Sequence, residues 1–226
     1  MENRKADWAV KLSDTGRAEA FSDAVFAIII TLLVLDLRPP EVAPGRLLEG
    51  LLEEWPTYLA YVTSYLYVAV VWHNHKGAFI RIRYMDRGLH WANLGVLFAT
   101  ALVPFPTAVI SVTMIRGNPV DERTAVGLYA LIGMLLCICW LFFFYYLSRH
   151  LELLEENINE KYFALETIRA WVGLVLYAAS GLIGRLVNPQ AALVIFLILP
   201  IFFGATSHGL LWGKDSRGLD RAPERQ

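Results

Sequence analysis

The sequence is short of charge, and its basic residues are dispersed. Of its 226 residues, 18% are charged and 56% are hydrophobic, whereas a soluble domain has about 25% charged residues. The formal net charge is −1, and Lys and Arg occur in short clusters between apolar stretches. A basic patch of the kind that binds nucleic acid is therefore not expected. The composition indicates one integral membrane domain, with the lipid bilayer as its surroundings.

Cysteine and catalytic motifs are scarce as well. Cys137 and Cys139 are two residues apart, so on a helix they face different sides and are expected to be packing residues rather than a disulfide or metal pair. His73 and His75 have the same spacing, which argues against a metal site. Taken by themselves, the two residues are typical of histidines that are hydrogen-bonded at the membrane edge. Motifs of phosphate-binding loops, zinc proteases and serine hydrolases are missing. We expect no enzyme, no metal and no cofactor.

Six apolar segments are present, each able to cross a hydrocarbon core of about 30 Å at about 1.5 Å per residue. They are 18–37, 55–72, 89–115, 125–147, 168–186 and 191–211. Pro104 and Pro106 should kink or divide the third segment. We expect an all-α, multi-pass protein of the cell membrane. Its parts would be a cytoplasmic N-tail at 1–16, a six-helix domain at 17–213 with an amphipathic surface connector at 152–166, and a cytoplasmic C-tail at 214–226.

The distribution of basic residues predicts the orientation. Of 20 Lys and Arg, 15 lie in the two tails and in the loops after the second and fourth segments, and 5 lie on the alternate side. Cytoplasmic loops carry an excess of Lys and Arg, so both termini are expected in the cytoplasm. The first helix then runs outward, with Asp36 and the negative end of the helix dipole at its external end.

The first apolar segment begins in a charged cluster. Its unbroken apolar part, 24–35, is shorter than the ~18 residues of a lipid-exposed span. Arg17, Glu19, Ser22 and Asp23 are therefore expected at membrane depth. Ionisable groups there need protein partners or a water-filled path. At about 100° per residue, one stripe collects several side chains, while Ser22 and Asp23 point away from it. The stripe consists of Arg17, Phe21, Ala24, Ile28, Thr31, Leu32 and Leu35.

The pattern R-x-x-x-F-S-D followed by an apolar helix resembles the transmembrane protein 175 family of potassium channels, whose first helix carries it. Further matching residues are Trp72, His75 and Phe79, which reproduce the pattern W-x-x-H-x-x-x-F, and Asn93 with the Pro-Phe-Pro of 104–106. The resemblance is specific over 17–106. With one six-helix repeat, the chain is similar to the prokaryotic form, which the resemblance implies is a homotetramer with the first helices around a central pore.

The resemblance implies a potassium-selective channel whose constriction, by spacing from Asp23, lies at Ile28, Thr31, Leu32 and Leu35. The filter motif T-V-G-Y-G is absent, so selection needs another device. A narrow apolar ring admits an ion that sheds or distorts its hydration shell, and potassium does so more readily than sodium. The Thr31 hydroxyl would replace a lost water. Periodicity alone favours ordinary core packing for this stripe, so the assignment depends on the resemblance.

A second group of residues is expected to anchor the pore helix. It comprises Arg17, Phe21, Ser22 and Asp23 of the first helix with Trp72 and His75 of the second. A helix N-terminus with acids in its first turn is the alternative, but it explains Asp23 poorly, because Asp23 lies two turns in. The alternative functions are a proton-coupled secondary transporter, a proton leak channel or a non-conducting scaffold. The sequence lacks the internal inverted repeat typical of such transporters.

Overall fold

The computed structural model describes residues 13–155 and 160–206, which are almost entirely helical. Its α-helices are α1 (Thr15–Leu33), α2 (Leu47–Glu53), α3 (Trp55–Phe79), α4 (Arg87–Ala101), α5 (Pro104–Arg116), α6 (Pro119–Arg149), α7 (Glu160–Leu186) and α8 (Pro189–Ala205). Short 3-10 turns, Val34–Asp36 and Leu151–Leu153, follow α1 and α6. Strands β1 (Ser13–Asp14) and β2 (Tyr84–Met85) pair antiparallel and tie the start of α1 to the loop after α3.

Four helical stretches in the described part of the chain are long and apolar enough to cross a membrane. They are Thr15–Asp36, Arg87–Arg116, Pro119–Arg149 and Tyr162–Leu186. Helix α3 has sufficient length at 25 residues, but its tyrosines, threonines and serine dilute its hydropathy. Helix α8 is apolar but has only 17 residues. Residues 1–12 of the expected N-tail at 1–16, the whole expected C-tail at 214–226 and the part of the last expected span beyond 206 lie outside the described residues.

Proline residues mark several helix boundaries. Pro104 and Pro106 divide the third apolar segment, because α4 ends at Ala101 and Pro104 occupies the first turn of α5. Pro56 likewise stands in the first turn of α3, where its missing N–H costs no helical hydrogen bond. These boundaries agree with the sequence prediction.

The expected surface connector at 152–166 is wrong in its second half. Helix α7 begins at Glu160, eight residues before the predicted span, and Phe163 and Glu166 are buried. Leucine and isoleucine at helical spacing predict a surface helix and the first turns of a spanning helix equally well. The buried side chains show that here the spanning helix continues through them.

Helices α6 and α7 approach each other closely at two glycine positions. A Cβ on Gly133 would lie 2.5 Å from the ring of Tyr177, and one on Gly184 would lie 2.3 Å from the side chain of Val126. The two helices therefore approach where these positions lack a side chain, as small residues allow in membrane bundles. Helix α1 packs against α3, α4 and α5. Its buried residues lie on one side, which leaves the other side uncovered.

Candidate pore helix and its polar anchor

Helix α1 has two distinct faces. Its packed face consists of Ser22, Phe26, Ile29 and Leu33, all buried against the bundle. The opposite face is uncovered in the single chain. Ile28 is 57% exposed, whereas its neighbour Ile29 is 2% exposed. Since a step of one residue rotates a helix by about 100°, the two isoleucines stand in different environments.

The four expected constriction residues all lie on the uncovered face. Ile28 and Leu32 are exposed on α1 itself, and Leu35 is 65% exposed in the following 3-10 turn. Thr31 is exposed too, and its hydroxyl donates to the carbonyl oxygen of Ile28 at 2.8 Å. Because the hydroxyl proton is used in this way, the Thr31 oxygen presents its lone pairs outward and is suited to a cation.

A chain of hydrogen bonds fixes the packed face to two other helices. His75 Nε2 of α3 lies 2.8 Å from Asn93 Oδ1 of α4, and Asn93 Nδ2 donates to Ser22 Oγ of α1 at 3.0 Å. The Ser22 hydroxyl donates in turn to the carbonyl oxygen of Ala18 at 2.8 Å. Donors and acceptors match along this chain of hydrogen bonds if His75 carries its proton on Nε2. Ser22, His75 and Asn93 are all buried, where unsatisfied polar groups are costly.

Asp23 is held separately, at the edge of this cluster. Trp72 Nε1 donates to Asp23 Oδ1 at 2.8 Å, and the ammonium of Lys76 lies 5.7 Å from the centre of the Trp72 ring. Asp23 itself is exposed on the single chain. The indole N–H of Trp72 therefore orients the carboxylate, whose other side remains open.

Aromatic rings enclose His75. The ring of Phe79 stacks on it with centroids 4.2 Å apart, Phe26 of α1 meets it edge-on at 5.2 Å, and Trp140 of α6 lies at 6.3 Å. His75 thus contacts α1, α4 and α6 while belonging to α3. A change at this residue is felt by four helices at once.

Arg17 and Phe21 do not join this cluster in the single chain, which corrects the prediction that they belong to it. Both lie exposed on the same side of α1 as Ile28, and no hydrogen bond joins the Arg17 side chain to the described residues. The reason lies in the helical rotation that placed them on the stripe: it also turns them away from α3 and α4.

Asn93 is the member that the sequence reasoning left without a role. Ser22 and His75 do not meet directly, since the amide of Asn93 lies between them and bonds both. The available signal was a single asparagine within the apolar run of α4. A buried amide on such a helix needs both a donor and an acceptor from its neighbours.

An uncovered apolar stripe, backed by a buried polar cluster in a bundle of spanning helices, defines an all-helical, multi-pass membrane protein. The profile described as "Endosomal/lysosomal potassium channel TMEM175" matches residues 17–104. A potassium channel of Streptomyces collinus is 32% identical over 201 residues, covering 88% of this chain and 90% of the relative. The chain belongs to the TMEM175 family, whose members are ion channels and not enzymes.

Two further comparisons bear on fold and ion. The crystal structure of a lysosomal potassium-selective channel TMEM175 homolog from Chamaesiphon minutus superposes with a TM-score of 0.75 at 31% identity, covering 85% of this chain and 97% of that one. A human protein named endosomal/lysosomal proton channel TMEM175 is 34% identical over 116 residues, which are 47% of this chain and 22% of the human protein.

Proposed function

We propose that this chain is the subunit of a homotetrameric potassium channel in which four copies of α1 surround the pore. The observation that carries the proposal is the uncovered stripe on α1, which leaves Ile28, Leu32 and Leu35 unpacked within one subunit. A stripe of this kind on a helix whose back is firmly packed is suited to meeting further copies around an axis. The bacterial relatives with the same fold are named potassium channels.

Selectivity follows from the chemistry of the stripe. Rings of Ile28, Leu32 and Leu35 would form a narrow apolar passage, where an ion loses part of its hydration without receiving a protein ligand. The loss is smaller for potassium than for sodium. Between these rings, the Thr31 oxygens would offer the only hydroxyl ligands of the stripe and compensate part of the lost hydration.

The proposed topology places both termini in the cytoplasm and counts α3 and α8 as the second and sixth spans. Its support is the excess of basic residues in the tails and in the loops after α3 and α6, since cytoplasmic loops carry such an excess. In a cysteine-free background, single cysteines near Arg81 or after Lys214 should react with an impermeant reagent only from the cytoplasmic side. Labelling of both from outside intact cells would contradict this orientation.

Assembly around α1 can be tested separately from conduction. In the same cysteine-free background, a cysteine in place of Leu35 should cross-link neighbouring subunits through a short bifunctional thiol reagent. Val175 of α7 is the matched control, since it is 62% exposed but lies on a helix that is not proposed to meet the axis. Cross-linking at Val175 and none at Leu35 would show that another face joins the subunits.

Conduction decides between the candidate functions. Purified protein is recorded in planar bilayers with potassium on one side and sodium on the other. It should show single-channel steps and a reversal potential whose sign and size correspond to a higher permeability for potassium than for sodium. Proton permeation is the second candidate, favoured by the name of the human relative, and a pH gradient in potassium-free solution measures it. Slow, saturable flux would indicate a transporter, and no flux at all a scaffold.

A further inference from the structure

The residues between α3 and α4 are bonded to the start of α1. Strand β2 pairs antiparallel with β1, and β1 directly precedes α1. Thr15, the first residue of α1, donates a hydrogen bond from its Oγ1 to the carbonyl oxygen of Arg83 at 3.0 Å. The first turn of the proposed pore helix is therefore attached to residues 81–86, which we call the linking segment.

The linking segment is also bonded to the chain that follows α6. The backbone N–H of Arg83 donates to the carbonyl oxygen of Leu153 at 2.8 Å. The backbone N–H of Glu155 donates to the carbonyl oxygen of Arg81 at 3.0 Å. The same short piece of chain thus joins the start of α1 to the connector between α6 and α7.

A side chain of α6 holds the end of the linking segment. The hydroxyl of Tyr146 donates to Asp86 Oδ2 at 2.5 Å. Asp86 Oδ1 accepts from the backbone N–H of Leu89 at 2.8 Å and so caps the start of α4. A Cβ on Gly88 would overlap the Tyr146 hydroxyl, so this glycine leaves the space in which Tyr146 reaches the carboxylate. One phenolic O–H therefore joins α6 to the residue that directly follows β2.

We propose that Tyr146 is a positioning residue for the cytoplasmic end of the pore helix and acts on it through Asp86, β2 and β1. The proposal rests on the proposed function, because it takes α1 as the helix that surrounds the axis. The uncovered face of α1 has no partner within the subunit, so the place of its first turn depends on the packed face and on this attachment. A hydrogen bond to a carboxylate is among the stronger ones, and the paired strands carry a displacement of β2 to β1.

The variant Tyr146→Phe removes the hydroxyl and keeps the ring. Amide hydrogen exchange is measured by mass spectrometry on the full chain in detergent. The amides of 19–21 report on the first turn of α1, because each bonds to the carbonyl group four residues earlier. Their exchange should become about tenfold faster, which corresponds to about 1.4 kcal/mol and to the loss of one hydrogen bond. Exchange in α2, which precedes the other end of α3, should not change, since only local opening is affected.

The neighbouring tyrosine supplies the matched control. Tyr145 is 56% exposed, its ring lies under the guanidinium of Arg149, and its hydroxyl bonds to none of the described residues. Tyr145→Phe should therefore leave the exchange at 19–21 at the rate of the parent chain. Equal acceleration in both variants, or none in Tyr146→Phe, would overturn the proposal.

A reversible cross-link tests whether the effect passes through the linking segment. Ile82 and Leu154 form an antiparallel bridge between two flanking hydrogen bonds. Cα atoms in such a pair lie about 4.5 Å apart, a distance that a disulfide accepts. Ile82→Cys and Leu154→Cys are added to Tyr146→Phe, with both native cysteines replaced by alanine. Oxidation should slow the exchange at 19–21 about tenfold, because it ties the segment to the connector again, and reduction should reverse this. Fast exchange after oxidation would show that the linking segment does not carry the effect.

Recording in planar bilayers separates this proposal from the proposed function. A first turn that moves more freely should change position more often, so Tyr146→Phe should switch between conducting and non-conducting levels about three to ten times more often. The potassium-to-sodium permeability ratio should stay the same, since Ile28 lies about two turns beyond 19–21. A parent chain that conducts no ions would refute the proposed function, whereas exchange at 19–21 would still decide the role of Tyr146. Faster exchange with unchanged switching in a conducting chain would show that Tyr146 stabilises the fold without positioning the pore helix for conduction.

Discussion

The two faces of α1 differ in how they are satisfied. The packed face carries Ser22 and Ile29, and each meets its partners within the same chain: an amide for the hydroxyl and apolar side chains for the isoleucine. The uncovered face carries Ile28 and Leu35, which have no such environment in one subunit. The comparison teaches that the fold of the subunit accounts for the packed face only, whereas the uncovered face would find its partners in the proposed assembly around the pore.

Changes at the packed face of α1 and its partners should lower the stability of the subunit more than changes at the uncovered face. The largest loss is expected for His75→Ala, on α3 behind the packed face. It removes a ring packed between Phe26 and Phe79 and leaves the Asn93 amide oxygen unpaired. We expect a loss of roughly 3 kcal/mol or more in free energy of unfolding, from the cavity and the unpaired group together. Chemical denaturation in detergent measures this loss, and size-exclusion chromatography follows the proposed tetramer.

His73→Ala is the matched control for this change. His73 is the neighbouring histidine on α3, and its Nε2 atom is buried without a hydrogen bond to the described residues. Its removal should therefore cost far less than removal of His75. Equal losses at the two positions would show that the Asn93 link does not stabilise the anchor.

The next prediction sets the two faces directly against each other. Ile29→Asn buries an amide without partners and should destabilise the subunit by roughly 2 to 5 kcal/mol. Ile28→Asn leaves the subunit packing intact but places amide dipoles in the proposed constriction. It should lower the dehydration cost that separates potassium from sodium. Denaturation and the reversal potential under bi-ionic conditions are measured for both variants. If the potassium-to-sodium permeability ratio changes in the Ile29 variant but not in the Ile28 variant, the pore lies on the other face of α1.

The sequence predicts these faces well because rotation along one helix is a local property. It separates Ser22 from Ile28 without any knowledge of neighbouring helices. Partners across helices are not local: the link from Ser22 to His75 passes through Asn93, which lies 71 residues from Ser22 in the chain. The start of α7 is misplaced by the sequence for the same reason, because the ring of Tyr162 meets Phe144 of α6, a contact that the spacing of residues in α7 does not show.

A smaller effect is expected at the edge of the anchor. Asp23→Ala removes the acceptor of the Trp72 indole N–H, and the pair is partly open to solvent on the single chain. We expect a loss of about 0.5 to 1.5 kcal/mol. A double-mutant cycle with His75→Ala tests whether this edge belongs to the buried cluster. A double variant that loses no more than His75→Ala alone would indicate one network, and strictly additive losses would indicate two independent anchors.

The smallest change tests the polar atom on the uncovered face. Thr31→Val keeps the shape of the side chain but removes the hydroxyl whose oxygen faces outward while its proton is bonded to Ile28. If the Thr31 oxygen replaces a lost water for potassium, the potassium-to-sodium permeability ratio should fall by two- to tenfold, corresponding to about 0.5 to 1.5 kcal/mol for one hydrogen-bonding group. Thr31→Ser keeps the hydroxyl and should retain the ratio. Since both variants leave the packed face untouched, their unfolding curves should match that of the parent chain. A ratio that falls in Thr31→Ser but not in Thr31→Val would mean that the bulk of the side chain, and not its oxygen, sets the preference.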